Sequence, residues 1–223
     1  MPIQIQFPDP NLADDEGLVA VGGNLSPEFL LAAYQQGLFP WFNEGDPILW
    51  WSPNPRMVLF PSEFKCSNSL HQVVRSMKYS IKTDTNFEGV IKHCASVKRK
   101  GQKGTWITND IIEAYAQLYY EGYAHSFETY RNNLLVGGLY GVSLGRAFFG
   151  ESMFFLERDA SKVALYYLVQ VAKELNFSFI DVQQSTSHLK SMGARDMDRS
   201  EFLKLLEKAL QSPAKNGKWN YEF

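Results

Sequence analysis

The stretch Ala147 to Phe155 reads Ala-Phe-Phe-Gly-Glu-Ser-Met-Phe-Phe and sets a single carboxylate among five large apolar side chains. In a strand, side chains alternate between two faces, so Phe149, Glu151 and Met153 are expected to share one face. Burying an ionised carboxylate without a partner is costly, so we expect Glu151 to meet a cation, accept several hydrogen bonds or lie at the lip of a pocket. The alternative is a glutamate at a strand end that points into water past the aromatic rings.

The composition predicts an ordinary folded protein. The chain has 223 residues, of which 45% are hydrophobic, enough for a substantial core. No run approaches the roughly 18 consecutive apolar residues of a membrane span, and the start has no basic flank or apolar signal run. We therefore expect a cytoplasmic protein that does not bind membranes.

Metal and cofactor sites have little support in the sequence. Cys66 and Cys94 lie in no metal-ligand spacing, and we interpret both as packing residues. The four histidines are far apart and include no His-x-x-x-His pair. A glycine-rich loop that would cradle phosphates is also missing. We predict no metal and no cofactor.

The charge is distributed unevenly along a chain whose net charge is only −2. Between Phe64 and Asn109 there are nine basic residues against two acidic ones, and the remainder of the chain is acidic. A local phosphate-binding face needs such a concentration of Lys and Arg. A charged, solvated surface is the alternative.

The N-terminal part displays many aromatic residues. A helix over 29–36 is predicted between the capping Ser26 and Gly37. Between Gly37 and Arg56 the chain then carries three of its five tryptophans together with four prolines. Prolines argue against a helix or a central strand, so we expect an irregular backbone. The aromatic side chains either form a small core or offer a platform for a ring such as a nucleobase.

The rest of the chain alternates between strand and helix patterns. Helices are predicted over 69–77 and 86–95, and further helices that begin near Thr108, Asp159 and Asp198. Strands are predicted over 57–60, 79–83, 124–130, 134–142, 146–153 and 177–182. Helices interleaved with an antiparallel meander, followed by a helix and another strand, predict an α+β fold.

Five separated motifs, in this order, together resemble the leucyl/phenylalanyl-tRNA-protein transferase family over roughly Phe7 to Glu207. They are Asp-Pro-Ile-Leu-Trp-Trp-Ser-Pro-Asn-Pro-Arg (46–56), Gly-Thr-Trp-Ile-Thr (104–108), Val-Gly-Gly-Leu-Tyr-Gly (136–141), Phe-Gly-Glu-Ser-Met-Phe (149–154) and Ile-Asp-Val-Gln (180–183).

The resemblance implies a small N-terminal domain, residues 1–57, and a larger domain similar to GNAT acyltransferases, residues 58–223. It implies an aminoacyltransferase that moves Leu or Phe, with Met as a third candidate, from aminoacyl-tRNA to the N-terminal Arg or Lys of a protein. That transfer marks the acceptor for degradation under the N-end rule. We expect a monomer, because no apolar surface stripe stands out.

The resemblance also implies site residues. The catalytic group is Glu151, Asp181 and Gln183. The aromatic residues near the 3′ end of the tRNA are Tyr34, Trp41 and Trp106. The amino-acid side-chain pocket is formed by Leu139, Phe148, Met153, Leu165, Leu168 and Ile180. The tRNA backbone is expected to contact Arg75, Lys78, Lys98, Arg99, Lys100 and Lys103. Leu139 and Leu168 depart from the family pattern but keep its apolar character.

An aminoacyl ester is already activated, so transfer to an amine needs no ATP. We expect Asp181 to accept a hydrogen bond from the Gln183 amide, which orients the carbonyl oxygen of that amide towards the amine, and Glu151 to hold the amine. Two alternatives are another GNAT-like acyltransferase and a non-catalytic binder of tRNA or of N-degrons. The absence of glycine from residues 155–162 weighs against an acyl-coenzyme A enzyme.

Overall fold

The structure, a computed structural model, describes residues 5–97, 105–213 and 215–223. The helices of eight or more residues are α1 Pro27–Gln35, α2 Asn68–Arg75, α3 Phe87–Ser96, α4 Asn109–Tyr120, α5 Ala160–Glu174 and α7 Arg199–Leu210, and a short α6 spans Ser187–Ser191. The strands are β1 Leu18–Val21, β2 Phe39–Pro40, β3 Leu49–Trp51, β4 Arg56–Leu59, β5 Ser80–Thr83, β6 Ala124–Arg131, β7 Leu134–Leu144, β8 Ala147–Phe155, β9 Phe179–Gln183 and β10 Arg195–Met197. No helix in these ranges is long and apolar enough to cross a membrane.

Seven strands form the main sheet, in the order β10-β4-β9-β8-β7-β6-β5. Strands β6, β7 and β8 form the predicted antiparallel meander, and β5 pairs antiparallel with β6. The β6–β7 hairpin turns at Asn132 and Asn133, which both have positive φ, the conformation that a two-residue type I′ turn requires. The α+β fold class, with a small N-terminal part and a larger sheet, is confirmed.

Strands β8 and β9 are the one parallel pair among the described strands, and α5 connects them. Their pairing runs from Ala147 opposite Phe179 to Phe149 opposite Asp181 and then stops. Each strand continues past that point, so Glu151 and Gln183 face a gap between two separating strands. This gap is where the candidate site lies.

Two apolar cores cover the two faces of the main sheet. One contains buried residues of α1, α3, α4 and α7, including Leu30, Ile91 and Phe202. The other contains the apolar side of α5 with Leu70 of α2 and Trp219 near the C-terminus. The sheet is therefore a layer between helices, and the candidate site opens at the edge of both cores.

The aromatic N-terminal part forms a second, three-stranded sheet in the order β1-β3-β2. The expectation of no central strand here was wrong, because Leu49–Trp51 contains no proline and pairs on both sides. Trp50 is fully buried and its indole nitrogen donates to the carbonyl of Gly22 at 2.8 Å. Trp41 and Trp51 stay partly exposed, so the tryptophans divide between core and surface.

Other local expectations have mixed outcomes. Ser26 and Asp198 cap their helices, whereas Asp159 stands before α5 in a left-handed conformation and its side chain does not cap. Strands β1 and β10 and helix α6 were not predicted. The domain boundary after residue 57 stays a prediction.

Candidate active site

A β-bulge places Glu151 in the site. Tyr140 lies opposite Ser152 and Gly141 opposite Gly150, so Glu151 is an additional residue of β8 with no partner on β7. A Cβ atom at Gly141 would lie 2.2 Å from the carbonyl oxygen of Phe149, so the two strands approach at the bulge because residue 141 is glycine. Bulges often occur beside active sites, where they redirect a side chain.

The bulge also changes which residues share a face. Phe149 and Phe154 both lie in the core of α1, α3 and α4, whereas Met153 packs with Phe148 against the core of α5. The expectation that Phe149, Glu151 and Met153 share one face was therefore wrong for Met153, because strict alternation ends at the additional residue.

The Glu151 carboxyl group accepts hydrogen bonds from three side chains. Its Oε1 atom accepts from the Tyr34 hydroxyl at 2.7 Å and from Gln183 Nε2 at 2.8 Å. Its Oε2 atom accepts from the Tyr115 hydroxyl at 3.0 Å. The two tyrosine hydroxyls are also hydrogen-bonded to each other. Two expectations are met, since Glu151 accepts several hydrogen bonds and borders a cavity.

The surroundings of Glu151 favour its neutral form. Burial raises the pKa of Glu151 from its ordinary 4.5 to about 7, and the nearby charge of Asp181 acts in the same direction. The hydrogen bonds from Tyr34, Tyr115 and Gln183 lower this pKa, but burial outweighs them. Burial also raises the pKa of both tyrosine hydroxyls, so these remain protonated donors at neutral pH.

Gln183 ends β9 in a left-handed conformation, with φ of 63°. Its backbone N–H donates to Asp181 Oδ1 at 3.0 Å, and its side-chain amide donates to Glu151 instead. The expected hydrogen bond from the Gln183 amide to Asp181 was therefore wrong. Asp181 holds the backbone of Gln183, because the left-handed turn brings that N–H over the carboxylate, and Glu151 holds the side chain.

Arg56 neutralises Asp181 in a fully buried pair. Arg56 Nε and Nη2 donate to the two Asp181 oxygens at 2.9 and 2.6 Å, and neither side chain is exposed. Arg56 Nη1 donates to the carbonyl oxygen of Gly37 at 3.2 Å, and the guanidinium lies over the rings of Phe39 and Phe202. A bidentate pair in which the third guanidinium nitrogen also donates to a carbonyl oxygen is a geometry in which a buried ion pair is tolerated.

An apolar cavity of about 360 Å³ opens on the α5 side of Glu151. Five of the six residues predicted for the amino-acid pocket line it: Leu139, Met153, Leu165, Leu168 and Ile180. Phe148 does not. It is fully buried in the core of α5, and its ring centroid lies 6.1 Å from that of Trp219.

A second, smaller cavity of about 160 Å³ lies on the other side of Glu151. Trp41, Trp106 and Gln183 line it together with Glu151. The structure thus brings two of the three predicted 3′-end aromatic residues to one surface. Tyr34 has no exposed surface and meets the site through its hydroxyl group alone.

The predicted tRNA backbone contacts are described only in part. Arg75 is exposed in the last turn of α2. Lys78 follows it and pairs with Glu157 at 3.3 Å. Lys98, Arg99, Lys100 and Lys103 lie outside the described residues.

Sequence reasoning missed two residues that touch the site or its partners. Tyr115 lies on the buried face of α4 with Ile111 and Leu118, and nothing in an apolar helix face marks its hydroxyl group. Arg56 did carry a signal, because it is a charged residue directly before the buried run of β4. Among the described residues, no group of three or more His, Cys, Asp or Glu side chains could hold a metal ion.

Comparisons with known proteins place this geometry in a family. Residues 58–207 match the family model described as leucyl/phenylalanyl-tRNA protein transferase, and residues 23–54 match the model of that protein's N-terminal domain. A solved structure of L-PGS from Bacillus licheniformis aligns at 11% identity with a TM-score of 0.42, over 74% of this chain and 52% of that chain.

Relatives named leucyl/phenylalanyl-tRNA–protein transferase align along almost the whole chain. The protein of Legionella pneumophila strain Corby is 51% identical over 97% of this chain and 96% of its own length. That of Nitrosomonas eutropha is 53% identical over 95% and 90%, respectively. That of an Anaeromyxobacter species is 50% identical over 100% and 94%. The chain therefore belongs to the leucyl/phenylalanyl-tRNA-protein transferase family.

Proposed function

We propose that the two cavities on either side of Glu151 hold the end of a leucyl- or phenylalanyl-tRNA, and that the amino acid is transferred there to the N-terminal amine of an acceptor protein. The observation that carries this proposal is the position of Glu151, which lines both cavities. The ester that joins the amino acid to the tRNA would then lie beside the carboxyl group of Glu151.

The larger cavity fits the amino-acid side chain. Five of its lining residues, Leu139, Met153, Leu165, Leu168 and Ile180, are apolar and offer no charge to a bound side chain. An apolar site favours Leu and Phe, since each additional buried CH₂ contributes about 0.8 kcal/mol. Such a pocket discriminates a single methylene by only about 1–3 kcal/mol, so more than one apolar amino acid is expected to be accepted.

The smaller cavity fits the terminal adenosine. Trp41 and Trp106 both line it and are partly exposed, as a surface for stacking a base must be. Stacking of a base on an aromatic side chain contributes roughly 1–3 kcal/mol. The adenine would then lie on the tryptophans while the ester reaches Glu151.

Gln183 is proposed to orient the attacking amine. Because its Nε2 atom is held by Glu151, the carbonyl oxygen of the same planar amide has a fixed direction. A protein α-amine has a reference pKa near 7.7–8.0, so a useful fraction is neutral at pH 7 and no strong base is required. Orientation then supplies much of the rate, since well-oriented intramolecular reactions gain roughly 7–11 kcal/mol.

Asp181 and Arg56 are proposed to act through Gln183 and not on the substrate. Their side chains are fully buried and bonded to each other, so neither faces the cavities. Asp181 instead accepts the Gln183 backbone N–H and stabilises a left-handed conformation that costs about 1–2 kcal/mol in a non-glycine residue. We regard both as positioning residues.

The acceptor is proposed to be a protein with N-terminal Arg or Lys, which the transfer marks for degradation under the N-end rule. A cytoplasmic location and a monomeric state belong to the same proposal. They follow from the resemblance and from the absence of an apolar surface stripe in the sequence.

A transfer assay tests the proposal. Purified protein is mixed with labelled Leu-tRNA or Phe-tRNA and a peptide that begins with Arg, without ATP. The same peptide with an acetylated N-terminus is the control. We expect label on the free-amine peptide alone. Binding of tRNA without transfer would support a non-catalytic binder, and loss of both would reopen the assignment to another acyltransferase.

A matched pair of variants tests the site within that assay. Gln183→Glu replaces the orienting amide with a carboxylate beside Glu151 and should lower turnover strongly. Gln184→Glu makes the same change one residue later, at a position that lines the smaller cavity without a bond to Glu151, and should act much more weakly. Equal turnover in wild type and Gln183→Glu would exclude the orienting role.

A further inference from the structure

Three hydrogen-bond contacts close a ring at Glu151. The Tyr34 hydroxyl meets Oε1 at 2.7 Å, the Tyr115 hydroxyl meets Oε2 at 3.0 Å, and the two hydroxyls meet each other. Both tyrosines have no exposed surface. Both tyrosine hydroxyls are therefore shielded from water, and the number of protons that the three groups share follows from their hydrogen bonds.

An ionised Glu151 leaves this ring one proton short. Each of the three contacts needs one proton, and the two tyrosine hydroxyls supply two. If both are donated to the carboxylate, the two hydroxyl oxygens face each other with no proton between them, and two acceptors in contact repel each other. One more proton, carried by the Glu151 carboxyl group, satisfies all three contacts.

The partners of Glu151 indicate which oxygen carries that proton. Oε1 already accepts hydrogen bonds from Tyr34 and from Gln183 Nε2, so the proton belongs on Oε2. In this state the bond between Oε2 and Tyr115 is reversed, so that Oε2–H donates to the Tyr115 hydroxyl, Tyr115 donates to Tyr34, and Tyr34 donates to Oε1. All three hydrogen bonds then point the same way around the ring.

The charged groups around the ring do not favour a carboxylate. Among the described residues, the ionisable groups that act on the pKa of Glu151 are the two tyrosine hydroxyls and Asp181, whose negative charge acts with burial to raise it. His188 lines the same cavity. Tyr140 packs edge-on against Tyr115. The nearest guanidinium, that of Arg56, is bonded to both oxygens of Asp181.

We propose that Glu151 is protonated in the free enzyme and closes a hydrogen-bond ring with Tyr34 and Tyr115, and that this ring exchanges protons with the substrates during transfer. The inference rests on the proposed function, because it requires that the ester and the amine meet at Glu151. It adds Tyr115 to the groups that carry the reaction and assigns a protonation state.

The proton exchange balances. The amine nitrogen forms a bond to the ester carbonyl carbon, and the bond from that carbon to the ribose oxygen breaks. Glu151 gives its Oε2 proton to the departing ribose oxygen, and the amine nitrogen returns one proton to Glu151. While the carboxylate exists, Tyr34 and Tyr115 both donate to it, so the same two hydroxyls serve both states.

Glu151→Gln separates the geometry of the ring from its chemistry. The amide carbonyl can accept from Tyr34 and the amide N–H can donate to Tyr115, which reproduces the hydrogen bonds of the neutral acid. The amide does not give up a proton at neutral pH. We expect KM for the aminoacyl-tRNA to stay within about threefold and kcat to fall by about 100-fold or more, the usual contribution of general acid–base catalysis.

Infrared difference spectroscopy of the free enzyme reads the protonation state directly. The spectrum of Glu151→Gln is subtracted from that of wild type at pH 6 and at pH 9. We expect the C=O stretch of a protonated carboxylic acid at pH 6, replaced by a carboxylate band at pH 9. Absence of the acid band at pH 6 in a wild-type enzyme that performs transfer would overturn the proposal.

Tyrosine variants test whether the three groups act as one. Tyr115→Phe should lower kcat by tenfold or more, and the double variant with Glu151→Gln should be no slower than Glu151→Gln alone, because one ring is being removed. Tyr120→Phe, an exposed tyrosine on the same helix, should transfer as wild type does. Additive losses would overturn the proposal. Failure of the wild type to transfer at all would instead contradict the proposed function.

Discussion

Glu151 and Asp181 are two acidic residues in one site with opposite surroundings. Asp181 meets a guanidinium at both oxygens, whereas Glu151 meets two hydroxyl groups and an amide. Sites that need both a fixed charge and a transferable proton commonly separate two acids in this way. Asp181 therefore accepts from the backbone of Gln183 as a paired carboxylate, whereas the surroundings of Glu151 favour its protonated form.

The raised pKa of Glu151 predicts a pH dependence of stability. Between pH 4.5 and about 7 the folded protein holds a proton on Glu151 that the unfolded chain has released, so the free energy of unfolding falls as the pH rises through this window. Urea unfolding of wild type and Glu151→Gln at pH 5, 6, 7 and 8 measures this. We expect wild type to lose on the order of 1–3 kcal/mol relative to the variant by pH 7, with no further loss above. If the difference in free energy of unfolding between wild type and Glu151→Gln were the same at every pH, the predicted pH dependence would be contradicted.

Arg56 offers a test of positioning. Arg56→Met leaves Asp181 buried and unpaired, which typically costs about 3–5 kcal/mol of stability. The double variant Arg56→Met/Asp181→Leu removes both charges and should recover most of that loss. It also removes the acceptor of the Gln183 N–H, so we expect its kcat to stay at least tenfold below wild type with KM for tRNA little changed.

Urea unfolding measures the stability of these variants, and steady-state transfer kinetics measure their kcat and KM. Wild-type turnover in a stable double variant would show that Gln183 keeps its conformation without Asp181. The conservative Arg56→Lys keeps the charge but loses the bidentate geometry, and intermediate turnover is expected from it.

At the scale of residues, the sequence predicted which residues lie together better than it predicted the hydrogen bonds between them. Glu151, Asp181 and Gln183 do meet, and the family that implied them is confirmed. The hydrogen bond between the Gln183 amide and Asp181 was wrong, because alternation along a strand does not anticipate a left-handed residue at its end. Arg56 and Tyr115 lie 125 and 36 residues away from their partners, distances that no local pattern spans.

At the scale of elements, the site depends on the separation of β8 from β9 and on the bulge in β8. The strands stop pairing at Phe149 and Asp181, and α5 then covers the opening from the side. The sequence predicted both strands and the helix to within a few residues. The sequence did not predict the bulge, because a bulge is defined by the pairing of two strands. Glu151 is recognised as an additional residue only when the residues of β8 are paired with those of β7.

Leu165 of α5 provides a test of the apolar cavity. Leu165→Phe adds bulk at a residue that lines the cavity and is 2% exposed. The larger Phe side chain of the substrate should then be excluded before Leu, so we expect the ratio of kcat/KM for Leu over Phe to rise about tenfold or more. Val171→Leu adds bulk to the same helix at a buried residue away from the cavity and serves as the control.

Overpacking affects both variants, typically by about 1–3 kcal/mol, so stability alone does not separate them. The ratio of the two substrates does, since a general loss of stability lowers both rates together. An unchanged ratio in Leu165→Phe would remove this cavity from the proposed amino-acid site.

At the scale of the whole molecule, the C-terminal residues complete the main sheet. Ile81 and Phe223 exchange backbone hydrogen bonds at 2.9 Å, and Tyr221 accepts from Thr83 at 3.1 Å. No function was predicted for the residues after Pro213, because their pairing partner is a strand about 140 residues earlier in the chain. That pairing covers the open edge of β5, which would otherwise present unpaired backbone groups.

Trp219 packs the C-terminal residues against the core of the protein. It is 3% exposed and stacks on His125 with ring centroids 3.8 Å apart, and its backbone N–H donates to Asp84 at 2.7 Å. Its ring centroid also lies 6.1 Å from that of Phe148, which belongs to the same core as Leu165 and Ile180 of the apolar cavity. The C-terminal residues are therefore part of the core that shapes the site.

Removal of residues 214–223 should destabilise the protein. Loss of a buried tryptophan typically costs about 3–5 kcal/mol, and the uncovered edge of β5 should promote self-association. Urea unfolding measures the first effect and size-exclusion chromatography the second. Glu222→Gln is the control, since it removes only the exposed pair with Lys82 and should change stability by less than about 0.5 kcal/mol. A truncated protein that unfolds at the same urea concentration as the full chain would show that the sheet is stable without its C-terminal residues.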